Sequence, residues 1–128
     1  MAAKHSGHCL CGDVRFTANG DPAWVSYCHC ASCRRHTGSP VSCFVNFEKA
    51  VVDFQSQPEV YRSSPDVRRY FCRRCGTPIA YETDRRPGEV DIYLNAFDAP
   101  ADFTPESHAF YSEHIPWFDT KDDLPRKP

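Results

Sequence analysis

The chain has no apolar run that approaches membrane-spanning length, and residues 1–8 contain no apolar stretch of the kind a secretory signal needs. It has no marked excess of charge: 15 Lys and Arg against 17 Asp and Glu leave a formal net charge of −2. That balance gives no reason to expect a nucleic-acid or membrane partner, and the expected compartment is the cytoplasm. Glycine is scarce, at 6 of 128 residues, while 11 prolines break the sequence into short pieces. Long helices are therefore not expected. The length suits one domain, taken as residues 1–128.

Cysteine is the abundant residue, with 8 in the chain. Disulfides would require an oxidising compartment. Cys9-x-Cys11 and Cys28-x-Cys30 also leave too little chain between sulfurs for a relaxed bridge. Thiolates converging on a metal ion suit that spacing better.

Strand-like runs recur between turn signals. "DVRFTANG" alternates before an Asn-Gly turn, and "AWVSYC" leads into a cysteine cluster. "SPVSCFVNF", "AVVDFQS", "RRYFC", "PIAYET" and "EVDIYLNAF" continue the series. In the last, Val90, Ile92 and Leu94 alternate with Asp91, Tyr93 and Asn95, the pattern of a half-buried strand. One helical turn is expected after Cys33, through Arg34 and Arg35, ending near Gly38. Residues 99–128, with Pro100, Pro105, Pro116, Pro125 and Pro128, read as an irregular segment laid over the domain. The expected fold is mostly β, held together by metal.

The cysteines sort by spacing. "HCLCGDV" and "YFCRRCGTP" each place a glycine, Gly12 or Gly76, directly after a cysteine pair. Such knuckles form tight turns whose N–H groups point at the sulfurs, and two of them make one four-thiolate zinc site from Cys9, Cys11, Cys72 and Cys75. That site is structural, substituting for core that a small β domain cannot supply. "YCHCASCRRHTG" then leaves Cys28, Cys30 and Cys33 as a trio, and three protein ligands with one exchangeable position is the pattern of catalytic zinc. Cys43 can close that site, although "VSCFVNF" reads as a strand in which a cysteine acts as a small hydrophobe. His36 can also reach it, whereas His29, between two ligands, should point away.

With the position open, zinc and three thiolates carry a formal −1 charge. A soft thiolate then suits the site better than activated water, so a sulfur-bearing substrate is expected. Arg34 and Arg35 stand beside the trio and are candidates for its carboxylates. His29, His36, His108 and His114 are candidates for proton transfer. Arg68, Arg69, Arg73 and Arg74 read as a polar strand face.

"CLCGDVRF", "CHCASCRRHTGS", "FCRRCGTPIAY" and "HIPWFDTKDDLP" together resemble the glutathione-dependent formaldehyde-activating enzyme family, in the Mss4-like superfamily that includes centromere protein V. The resemblance covers nearly the whole chain. It implies a curled, tent-like β-sheet domain with two zinc ions per chain. It implies a structural zinc on Cys9, Cys11, Cys72 and Cys75, and a catalytic zinc on Cys28, Cys30 and Cys33 whose free position takes the glutathione sulfur. The implied reaction joins glutathione to formaldehyde as S-hydroxymethylglutathione, formally a carbon–sulfur lyase run in reverse. The alternative within the superfamily is a non-catalytic protein-interaction module with two structural zincs.

Overall fold

In the computed structural model, which describes residues 3–128, ten short strands form two sheets. The strands are β1 (Lys4–His8), β2 (Arg15–Asn19), β3 (Trp24–Cys28), β4 (Ser42–Glu48), β5 (Val52–Phe54), β6 (Glu59–Ser64), β7 (Val67–Phe71), β8 (Pro78–Thr83), β9 (Glu89–Tyr93) and β10 (Ser107–Ala109). The smaller sheet has the order β1-β2-β5 and the larger the order β10-β3-β4-β9-β8-β7-β6. Every pairing is antiparallel except β10 with β3. The single α-helix, α1 (Ala31–Thr37), follows β3 and is capped by Gly38, where the sequence placed its end.

Pairing register decides which side chains share a face of the large sheet, because successive residues of a strand point to opposite sides. Val25, Val45, Ile92, Ala80 and Tyr70 stand in line across five strands. They belong to the main core, with Phe16, Phe47, Phe97 and Phe103. The aromatic rings in that core meet at 4.7 to 6.5 Å, as for Phe97 with Phe103 and Phe47 with Phe103. Trp24, Asn46, Asp91, Tyr81 and Arg69 stand in line on the opposite face. That second face is covered as well: Asn46, Asp91 and Arg69 are buried. The half-buried alternation expected for residues 90–95 is therefore a strand enclosed on both sides. Leu94 leaves it for a 3-10 turn.

Three strands carry no clear sequence signal. β1 includes Gly7 and two histidines, β6 is an exposed edge, and β10 is only three residues long. The last of these lies in the segment expected to be irregular. The bridge from His108 to Arg126 ties that segment down again.

Gly7 packs where no side chain fits, since a Cβ there would run into the Phe16 ring and the Ala96 carbonyl oxygen. Overpacking a core costs about 1–3 kcal/mol, and the backbone oxygen has little room to yield. Gly7→Ala should lower the melting temperature by roughly 10 °C, as read by thermal denaturation. An unchanged melting temperature would show that β1 moves away from the Phe16 ring and Ala96 without cost.

Candidate metal centres and the cavity beside the three-cysteine group

Two groups of cysteines gather their sulfurs within 4.8 Å of one another: Cys9, Cys11, Cys72 and Cys75, and Cys28, Cys30 and Cys33. The first lies between the sheets. Cys9 and Cys11 come from the turn joining β1 to β2, and Cys72 and Cys75 from the turn joining β7 to β8. Their Sγ separations include 3.6 Å for Cys9–Cys11 and 3.8 Å for Cys11–Cys72. Four sulfurs at about 2.3 Å from a central zinc stand about 3.8 Å apart, so the donor set fits a tetrahedral metal. Backbone N–H groups of Val14, Arg74 and Cys75 donate to the Cys9 and Cys72 sulfurs at 3.2 to 3.4 Å. Gly12 and Gly76 hold φ of +83° and +80°, the left-handed conformation that lets each turn close. The Thr77 hydroxyl and N–H push the Cys75 thiol down to about 5, which favours the ligating thiolate.

The second group is built on a strand end and a helix start. Cys28 closes β3, Cys30 is the N-cap of α1, and Cys33 lies in its first turn. The Cys33 N–H donates to Cys30 Sγ at 3.2 Å, and Cys28 Sγ is 3.6 Å from Cys33 Sγ. Hydrogen bonds from Cys28 and Cys33 pull the Cys30 thiol down to about 2. The same contacts with Cys30 and Cys33 push Cys28 well above the usual thiol range, with burial adding to the effect. Three packed thiols thus compete for one negative charge, and a divalent cation among them lets all three ionise.

Neither alternative fourth ligand joins the trio. Cys43 neighbours Ser42 and Phe44 in β4 and so faces the main core, on the far side of the sheet from Cys28. Burial pushes its thiol up to about 12. His36 points its Nδ1 at the Tyr93 hydroxyl, 2.7 Å away, and burial with the nearby Arg69 charge holds it down to about 4. His29 turns away from the sulfurs, as its place between two ligands requires. Its Nε2 is 2.8 Å from His108 Nδ1, and His108 Nε2 is 3.2 Å from Asp122. This buried chain latches the cysteine loop to β10 and the segment beyond it.

A cavity of about 700 Å³ opens beside the trio, lined by Cys28, Cys30 and Cys33 together with Trp24, Phe44, Tyr81 and Arg69. Glu106, Phe110, Pro125 and Lys127 form its other wall. None of His29, His36, His108 and His114 lines it, nor do Arg34 and Arg35. Arg34 instead donates to the carbonyls of His29 and Glu113, both at 3.1 Å, while Arg35 is exposed. The arginine that does meet the cysteines is Arg69, whose Nη1 is 3.5 Å from Cys33 Sγ. Spacing could not find it, because it lies 36 residues from Cys33. The available signal was its place two residues after Val67, on a face where a charge is out of pattern.

The two groups should differ in their effect on stability. Cys75→Ser opens the cluster that joins the sheets and should lower the melting temperature sharply. Cys30→Ser acts within one loop and should leave most of the fold intact. Equal losses in thermal denaturation would contradict that difference.

The model of the glutathione-dependent formaldehyde-activating enzyme family matches residues 4–113. An uncharacterized lyase of Schizosaccharomyces pombe is 31% identical over 93 residues, 71% of this chain and 68% of that protein. The crystal structure of a Rhodobacter sphaeroides protein shares the fold at a TM-score of 0.58 and 16% identity, covering 96% of this chain and 99% of that one. With its two cysteine groups in place and 110 consecutive residues within the family pattern, the chain belongs to the glutathione-dependent formaldehyde-activating enzyme family.

Proposed function

We propose that residues 1–128 form a single zinc-binding domain that acts as a carbon–sulfur lyase-type enzyme, adding the thiol of glutathione to formaldehyde. The observation that carries this reading is the three-cysteine group on the wall of a cavity, with no fourth side-chain ligand among the described residues. We assign one zinc ion to Cys9, Cys11, Cys72 and Cys75 as structural, and a second to Cys28, Cys30 and Cys33. A zinc ion held by three thiolates supplies a position where a sulfur ligand is kept as thiolate at neutral pH. Family membership and the lyase name of the Schizosaccharomyces pombe relative support an enzyme of this class.

The chain's own residues would do the rest. Trp24, Phe44 and Tyr81 shield the sulfur from water on the sheet side. The glutathione thiol loses its proton to solvent, and its sulfur bonds to the formaldehyde carbon. The carbonyl electron pair moves to oxygen, which takes up a proton and becomes the hydroxyl of S-hydroxymethylglutathione. Burial raises the Tyr81 phenol above its ordinary range, which keeps an O–H available in the cavity for that oxygen. Lys127 has no carboxylate partner among the described residues and stands at the rim, suited to a glutathione carboxylate. Arg34 and Arg35 are not assigned that task, because they stand outside the cavity.

Metal analysis of protein purified without chelator should find two zinc ions per chain. Calorimetric titration with glutathione, in buffers of differing ionisation enthalpy, should show a proton released on binding. Lys127→Ala should weaken binding by up to about fivefold, the scale of one exposed charge pair, while Arg35→Ala should not change it. No binding at millimolar glutathione would remove glutathione as the substrate.

A further inference from the structure

A buried arginine is expensive unless an anion meets it, and Arg69 is only 6% exposed. Among the described residues it has no carboxylate partner. Its Nε donates to Ser63 Oγ at 3.1 Å, and its Nη1 reaches Cys33 Sγ at 3.5 Å and the Tyr93 hydroxyl at 3.4 Å. The guanidinium also lies 5.1 Å from the centroid of the Tyr81 ring. The anions that face it are therefore the cysteine sulfurs.

The remaining nitrogen, Nη2, makes no hydrogen bond among the described residues, yet it is not among the buried atoms left without a partner. It keeps some exposure, and Arg69 is one of the residues that line the cavity beside the sulfurs. The charge count follows directly. A divalent metal with three thiolates carries −1, Arg69 brings the centre to zero, and a fourth thiolate returns it only to −1. Without Arg69 the same ligand would meet an anionic centre and raise it to −2.

We infer that Arg69 is a positioning residue that neutralises the three-cysteine centre and thereby selects an anionic sulfur ligand over a neutral one. The inference rests on the proposed metal assignment, but not on glutathione being the thiol.

Cobalt(II) in place of zinc makes the test visible, because sulfur-to-cobalt charge-transfer absorption reports each thiolate bound. The substituted protein is titrated with 2-mercaptoethanol, with glutathione, and with imidazole as a neutral ligand. Arg69→Met should weaken both thiols by ten- to a hundredfold while leaving imidazole unchanged, and Arg69→Lys should recover part of the thiol affinity. Arg69→Gln keeps polar contacts without the charge and serves the same comparison if Arg69→Met does not fold. A general loosening of the site would weaken all three ligands alike and would overturn the inference. So would thiol affinities equal to those of the unaltered protein, or loss of one of the two cobalt ions from the Arg69 variants. If 2-mercaptoethanol binds and glutathione does not, the substrate reading falls while the comparison of variants still decides the role of Arg69. Binding of neither thiol by the unaltered protein overturns both.

Discussion

The cluster of Cys9, Cys11, Cys72 and Cys75 fixes one sheet to the other. Two of its sulfurs belong to the turn of the β1–β2 hairpin and two to the turn between β7 and β8, sixty-one residues later for Cys11 and Cys72. The sulfurs of the two turns meet at this junction, 3.8 Å apart for Cys11 and Cys72. The aromatic core of Phe16, Phe47, Phe97 and Phe103 then fills the space that the junction leaves.

Once the sheets are joined, the large one is closed off on its apolar face, and its other face becomes the chemical one. A single-residue alternation performs the separation. Cys43 falls to the core while its neighbours Ser42 and Phe44 fall to the cavity side, and Arg68 pairs with Glu82 while Arg69 meets Cys33. The cavity is thus a row of residues drawn from strands far apart in sequence. Its cysteines come from one loop, Arg69 from β7, and Arg85 and Arg86 from the turn between β8 and β9.

This explains what could be read in advance. The cysteine groups were legible because ligands of one metal site come in short spaced pairs, and most of the strands because side chains alternate with period two. The partition into a group of four and a group of three follows from the same spacing. Arg34 and Arg35 drew attention by being next to Cys33, but a short helix turns Arg34 towards the carbonyls of His29 and Glu113 and leaves Arg35 in solvent. Arg69 was hidden because contact across a sheet depends on register, which no local pattern states. Asp91 and Tyr93 looked like a solvated face for a related reason: a buried polar face and an exposed one have the same composition.

The parallel strand β10 and the segment bridged to it at Arg126 have a consequence for how the molecule is made. Synthesis runs from the N-terminus, so the sulfurs of both groups and the strands β1 to β9 are all available before residues 107–127 exist. At that stage His29 still lacks His108, and its N–H still lacks the Ala109 carbonyl. Pro125 and Lys127 add the far wall later still in chain order. Residues 107–127 therefore enclose sulfurs that earlier parts of the chain have already brought together.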